Sequence, residues 1–220
     1  MLEEDFKAIE GLVTRRQVQE RRMMQAGTVY CASNKAYEAG VSAASEVLYL
    51  DALVCEDSVR HAVPLCRVPA DYVNYFNTIE LPVVDACMQA RGIPDGARRF
   101  YQEAFADISV CVQTRWGETL PIQVTRGLPQ GSVSGTEGSK PAQEPILRLR
   151  EDSAAKYRSS AGRLVACAGY VDDTEHYDAG AEHLPIIVRE LGAGSLGTGI
   201  GYSWHKFSAY ATDWGAYAAS

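Results

Sequence analysis

The chain has 220 residues, of which 46% are hydrophobic and 22% charged, a balance that suits a globular fold and excludes a wholly disordered chain. With 21 Lys and Arg against 28 Asp and Glu the net charge is −7, whereas proteins that live on nucleic acid usually carry a basic excess. No window offers 18 apolar residues free of charge, so no membrane span is expected, and the acidic start MLEEDFKAIEGLV lacks the apolar stretch of a signal peptide.

Residues 2–26 mix apolar positions at helical spacing with many charges, including Arg15, Arg16, Arg21 and Arg22, and read as an exposed or docked helix. Ser33 to Arg60 is again helical. Residues 63–70 read as a short buried strand ending at Asp71. A helix from Leu81 closes on Gly92, and a second, opening on Pro94, runs to Ala106. Residues 108–116 and 119–126 form the clearest hairpin pattern, with Gly117-Glu118 as its two-residue turn. The Gly-, Ser- and Pro-rich stretch 127–145 reads as loop, and 146–159 as helix. A strand over 163–171, a turn at Asp172-Asp173, a shorter strand to Tyr177, a helix over 183–191 and two closing strands within 199–212 complete the chain.

This order predicts an α+β fold with an antiparallel sheet covered by helices on one face. Length at about 150 residues per domain predicts one domain with an extension: a helical segment 1–26, a main domain 27–215 and a tail 216–220. The six cysteines are scattered without a C-x-x-C pair, which points to reduced, buried thiols in an intracellular protein. Gly192 to Gly197 fits G-x-G-x-x-G, but too few residues follow it for a βαβ unit, so dinucleotide binding is not expected.

Three segments carry chemistry. Asp71 to Ile79 (DYVNYFNTI) follows a predicted strand, Arg126 to Ser132 (RGLPQGS) follows the hairpin, and Gly169 to Tyr177 (GYVDDTEHY) places two carboxylates at a strand–turn–strand. Adjacent aspartates repel and raise at least one pKa unless a cation lies between them. With a third carboxylate on a neighbouring strand, such a set can hold two Mg²⁺ ions about 3.5–4 Å apart, which requires the carboxylates to converge.

In that order, D-x-x-x-Y-F-N, R-G-x-P-Q-G-S and Y-V-D-D resemble motifs A, B and C of the reverse transcriptase palm, most closely the non-LTR retrotransposon and group II-intron-like branch. The likeness runs from about Gly27 to Trp214, and the segment ending in Trp204-His205-Lys206-Phe207 is similar to motif D. The resemblance implies a ferredoxin-like polymerase palm with a short, partly helical fingers remnant, catalysing RNA-directed DNA synthesis from a primer–template and deoxynucleotides with two Mg²⁺. It implies that Asp71, Asp172 and Asp173 are the metal-binding carboxylates and that Lys206 is the acid for the leaving pyrophosphate. Phe76 would lie under the incoming sugar and disfavour a 2′-hydroxyl. Gln130 and Gly131 would approach the nucleotide and template base, Arg126 would belong to the same substrate-binding motif, and Tyr170 would pack near the primer terminus. Arg67 is the candidate for the triphosphate. The chain ends directly after motif D, so a truncated palm without a thumb is expected. A second reading of the same residues is a catalytically inactive, repurposed protein, a structural or interaction subunit of a larger assembly, to which the acidic balance and the polar stretch after Gly131 point.

Overall fold

The computed structural model describes residues 33–34, 43–130, 133–213 and 215. The predicted N-terminal helix, Gly131 and the tail lie outside the described residues. The chain divides into two compact units, one comprising 76–142 and the other drawing on 30–75 and 143–220.

The second unit is built on a four-stranded sheet. Its strands are β1 (Cys66–Asp71), β8 (Cys167–Tyr170), β9 (Asp173–Asp178) and β10 (Tyr210–Ala211), in the order β10-β1-β9-β8, every neighbouring pair antiparallel. The register sets Val68 opposite His176, Ala70 opposite Thr174 and Asp71 opposite Asp173. Because side chains alternate along a strand, one face carries Cys66, Val68, Ala70, Thr174, His176 and Asp178, all buried. The second half of the long helix α5 (Val133–Asp152), from Gln143 on, packs on this face, with Leu147 in one cluster with Cys167. Helix α6 (Leu184–Thr198) packs on α5 where Gly194 leaves Ile146 so close that a Cβ would stand 2.9 Å from it.

The other face does not stay bare, as a sheet with helices on one side would require. Helix α1 (Ala43–His61) packs there, joining Val54 with Leu65, Tyr157 and Tyr177. Its Val54 packs at the Cys66 end of the sheet, and among the described residues the Asp71 end opens onto a cavity.

In the first unit, a short helix α2 (Tyr75–Thr78) leads to α3 (Leu81–Ala90) and α4 (Asp95–Phe105). Gly92 follows α3 at φ 69°, a conformation that favours glycine. The hairpin forms with its register shifted from the expected one. Strands β3 (Gln113–Thr114) and β4 (Gly117–Glu118) pair directly, so the loop is Arg115-Trp116 and Gly117-Glu118 is strand. Farther out, β2 (Ser109–Val110) pairs with β5 (Ile122–Gln123). Two residues on one strand face three on the other between these ladders, a bulge at Leu120-Pro121, where proline cannot donate to a partner. The remaining pair is β6 (Tyr157–Arg158) with β7 (Leu164–Val165).

The largest departure from the sequence expectation is α5 itself. Residues 133–145 are helix rather than loop, and the helix ends at Asp152 rather than Ser159. Gly135, Gly138, Pro141 and Pro145 all oppose a helix interior, each Gly by about 1 and each Pro by about 3 kcal/mol relative to Ala. Burial outweighs them: Gly138, Ala142, Ile146, Leu147 and Arg150 are all buried along this helix. Helix α6 likewise runs through Gly192, Gly194 and Gly197, so the G-x-G-x-x-G stretch is helix and makes no phosphate loop. Of the two strands expected over 199–212, only β10 forms, since Trp204–Lys206 is a 3₁₀ turn. Cys66 and Cys167 are buried, and desolvation pushes their thiols up to about 11 and about 12, but Cys111 on the hairpin is exposed. Among the described residues no helix is long and apolar enough to cross a membrane.

Candidate active site at the open end of the sheet

The antiparallel register brings Asp71, the last residue of β1, directly opposite Asp173, the first of β9. Directly opposed residues of like charge destabilise a sheet, so the pairing is not there for stability. Tyr170, the last residue of β8, pairs with Asp173, which leaves Val171-Asp172 as the two-residue turn. Val171 adopts φ 56°. For a β-branched residue this left-handed conformation is strained, at a cost of about 1–3 kcal/mol. The strain turns the hairpin tightly enough to expose Asp172 beside Asp173, both of them solvent-facing.

Lys206, on the 3₁₀ turn, closes the group. Its Nζ lies 2.6 Å from Asp71 Oδ2 in an exposed ion pair, and that contact raises the lysine's pKa, with Asp172 and Asp173 adding to it. The Asp173 carboxyl is also raised, by partial burial first and then by the charges of Asp172 and Asp71, against the pull of Lys206. The turn carrying Lys206 is tied to the sheet: Ser203 N donates to Asp71 O at 2.8 Å, and Tyr72 bridges to Tyr202. The rings of Tyr72 and Tyr202 lie 4.7 Å apart, and Tyr202 in turn contacts Trp204.

A cavity of about 450 Å³ opens on this face. Asp71, Tyr170, Asp173, Glu175 and Lys206 line it, with Val47 and Leu48 of α1 as an apolar wall. Glu175 was not singled out by its sequence context. It points to the same face as Asp173, and burial pushes its carboxyl up to about 7 although Arg67 stands 2.9 Å away. Arg67 is held by Asp51 at 2.6 Å as well as by Glu175, so its charge is committed within the sheet face and does not serve as a loose triphosphate ligand.

Among the described residues no three Asp, Glu, His or Cys side chains are gathered as a metal site, and the Lys206 ammonium is the cation lying against Asp71. The donor chemistry nevertheless fits a hard divalent ion. All three side chains are carboxylates, they share one rim, and the raised Asp173 is what a cation between them would relieve.

The remaining expected residues belong to the first unit. Phe76 and Arg126 are brought together there: Leu128 N donates to Phe76 O at 2.7 Å, Gly127 N to Ile79 O at 2.9 Å, and Arg126 Nε approaches Asn77 O at 3.5 Å. Gly127 has φ 106°, and a Cβ on it would come within 2.9 Å of Asn77 Cα, so the close passage of these two segments requires glycine. Gln130 is exposed in the turn that follows.

Solved structures share this fold. Telomerase from Candida tropicalis, in complex with a TWJ fragment of telomeric RNA, matches with a TM-score of 0.66 at 10% identity, over 91% of this chain and 33% of that one. Apo telomerase from the same organism matches at 0.61 and 10%, over 95% and 37%. Telomerase from Candida albicans, also with a TWJ fragment, matches at 0.60 and 10%, over 92% and 34%. This chain thus spans about a third of the length of the telomerase chains it matches. Telomerase is a reverse-transcriptase-family enzyme, so the fold is reverse-transcriptase-like. No family model matches the chain, and no curated protein matches it.

Proposed function

We propose that this chain is a reverse transcriptase palm that transfers nucleotides to a primer 3′-hydroxyl under the direction of a template. The observation that carries the reading is the juxtaposition of Asp71 with Asp173 across β1 and β9, beside the Asp172 turn and Lys206, at the uncovered end of the sheet. The strand order β10-β1-β9-β8, all antiparallel, with helices between β1 and β8 and between β9 and β10, supports the reading of a ferredoxin-like palm. Likeness to telomerase supports a nucleic-acid partner. Assignment to the non-LTR and group II-intron-like branch rests on the motif residues alone.

In this reading Asp71, Asp172 and Asp173 would hold two Mg²⁺ ions, which when bound would activate the 3′-hydroxyl and neutralise charge on the triphosphate. The 3′-oxygen attacks the α-phosphorus, its proton passing to solvent, and the bond to the bridging oxygen breaks. Lys206, released from Asp71, gives its proton to the departing pyrophosphate. By the motif resemblance alone, Tyr170 is assigned to the primer end, Phe76 to the sugar, and Arg126, Gln130 and Gly131 to the incoming nucleotide.

Primer extension in Mg²⁺ or Mn²⁺ tests the reading. Wild-type chain is expected to incorporate deoxynucleotides, and Asp172→Asn to lose at least about a hundredfold in rate, as loss of a charge-stabilising group does. Incorporation that does not depend on Asp172, or none at all, overturns it and leaves the inactive, repurposed subunit.

A further inference from the structure

Residues 127–145 read as loop in the sequence, yet helix α5 delivers one side chain from this stretch to the turn that carries Asp172. Gln143 is fully buried, and its Nε2 donates to the carbonyl oxygen of Val171 at 2.8 Å. Val171 is the residue at φ 56°. The same side chain hydrogen-bonds the hydroxyl of Tyr72, which also accepts from Tyr202 at 3.3 Å. Tyr72 directly follows Asp71, and Tyr202 precedes the turn of Lys206. One buried amide is therefore linked to all three backbone segments that present the charged groups.

Two further observations separate this from ordinary core packing. Gln143 Oε1 is buried with no hydrogen-bond partner. An orphaned acceptor is costly, and the amide keeps it while its Nε2 satisfies the Val171 carbonyl, so what it secures is the turn. Gly169, two residues before Val171, is also shaped to the amide: a Cβ there would lie 3.3 Å from Gln143 Nε2 and 3.0 Å from Leu147 Cδ1. The strand gives up a side chain where the amide passes.

We infer that Gln143 is a positioning residue: it holds the Val171-Asp172 turn in its strained form, and so holds the Asp172 carboxylate where a divalent cation shared with Asp71 is bound. The inference rests on the proposed palm reading, and a measurement of cation binding separates the two. Supporting groups around metal ligands typically change affinity by about ten- to a hundredfold when removed.

The test is direct Mn²⁺ titration of the full chain, followed by the electron paramagnetic resonance of free Mn²⁺, alongside primer extension. Gln143→Met should melt cooperatively, bind Mn²⁺ about tenfold more weakly, and need correspondingly more Mg²⁺ for extension. Its KM for deoxynucleotide should stay within about twofold, because a merely loosened fold would move both. Should that variant not fold, Gly169→Ala, which crowds the amide from the strand side, is expected to weaken Mn²⁺ binding in the same direction. A folded Gln143→Met or Gly169→Ala that binds Mn²⁺ like wild type overturns the inference while the palm reading stands. Wild type that binds Mn²⁺ but extends no primer overturns the palm reading, and weaker binding by the variant still upholds the positioning role. No Mn²⁺ binding by wild type overturns both.

Discussion

Asp173 and Asp178 stand at the two ends of one strand, β9, and are treated in opposite ways. Asp178 is buried on the α5 face, where its Oδ1 accepts from Ala179 N and from His183 Nδ1, each at 2.7 Å. The fully buried Arg150 lies beside it, Nη2 to Oδ2 at 3.8 Å, and also binds Glu190 and the carbonyl of Tyr177 at 3.2 Å. There the buried Asp178 has an opposite charge beside it, and the same guanidinium serves Glu190. At the other end Asp173 faces Asp71 across the ladder and adjoins Asp172, with one lysine for three carboxylates. Paired buried charge holds the sheet's closed end together. Uncompensated charge at the open end does nothing for the fold and is explained by what it could bind.

The contrast can be broken most forcefully at the closed end. Arg150→Met leaves the buried Asp178 and the partly buried Glu190 without their cation and should cost about 3–5 kcal/mol, measured by urea unfolding. A loss below about 1 kcal/mol would mean the pair is dispensable.

Acid sharpens the same point through His176, fully buried on the α5 face and held down to about 3, chiefly by burial and then by Arg150. Its folded pKa lies below the unfolded value, so the unfolded chain takes up the proton first. Stability is therefore full above about pH 6.5 and falls by roughly 1.4 kcal/mol per pH unit toward pH 3. His176→Gln should flatten that part of the pH–stability curve, and an unchanged slope would refute the assignment.

At the open end the sign reverses. Asp173→Asn removes a like charge and should stabilise by at most about 1 kcal/mol. Because the folded carboxyl is raised, the gain appears as pH rises through its titration and vanishes in acid, where the wild-type group is already protonated. Glu175→Gln should act alike, its benefit growing from about pH 4.5 and reaching its full size above about 7. A thermal-melt series from pH 4 to 8 decides both, and a destabilised Asn or Gln variant at pH 8 would contradict the reading. The smallest effect is expected for Lys206→Met. Its ion pair is exposed, so the melting temperature should stay within scan error even if extension falls.

Strand β1 and, to within one residue, the turn after β8 were legible because their signals are local; the turn falls on Val171-Asp172, and Asp173 already belongs to β9. A short apolar run ending at Asp71, and a strand broken by two aspartates, each define themselves within ten residues. Helices α3 and α4 were legible for the same reason, through Gly92 and Pro94. Hairpin register was not, because Gly117 attracts the turn in sequence while the ladder is set by the bulge at Leu120-Pro121. Helix α5 was not, because two glycines and two prolines oppose it locally and only burial along its length overrides them. Gln143 was hidden with it, and Glu175 passed as one more polar residue in a strand.

What the sequence determined by itself was the set of charged residues and their order along the chain: Asp71 closing one strand, Asp172 and Asp173 between two others, Lys206 near the end. Local chemistry is enough for that, since turns and strand ends are written in a few neighbouring residues. Only the tertiary structure decided that Asp71 faces Asp173, that Lys206 lies on Asp71, and that a helix stands where the composition reads as loop. Those facts depend on contacts between residues about a hundred positions apart, where pairing register and burial outweigh local preference.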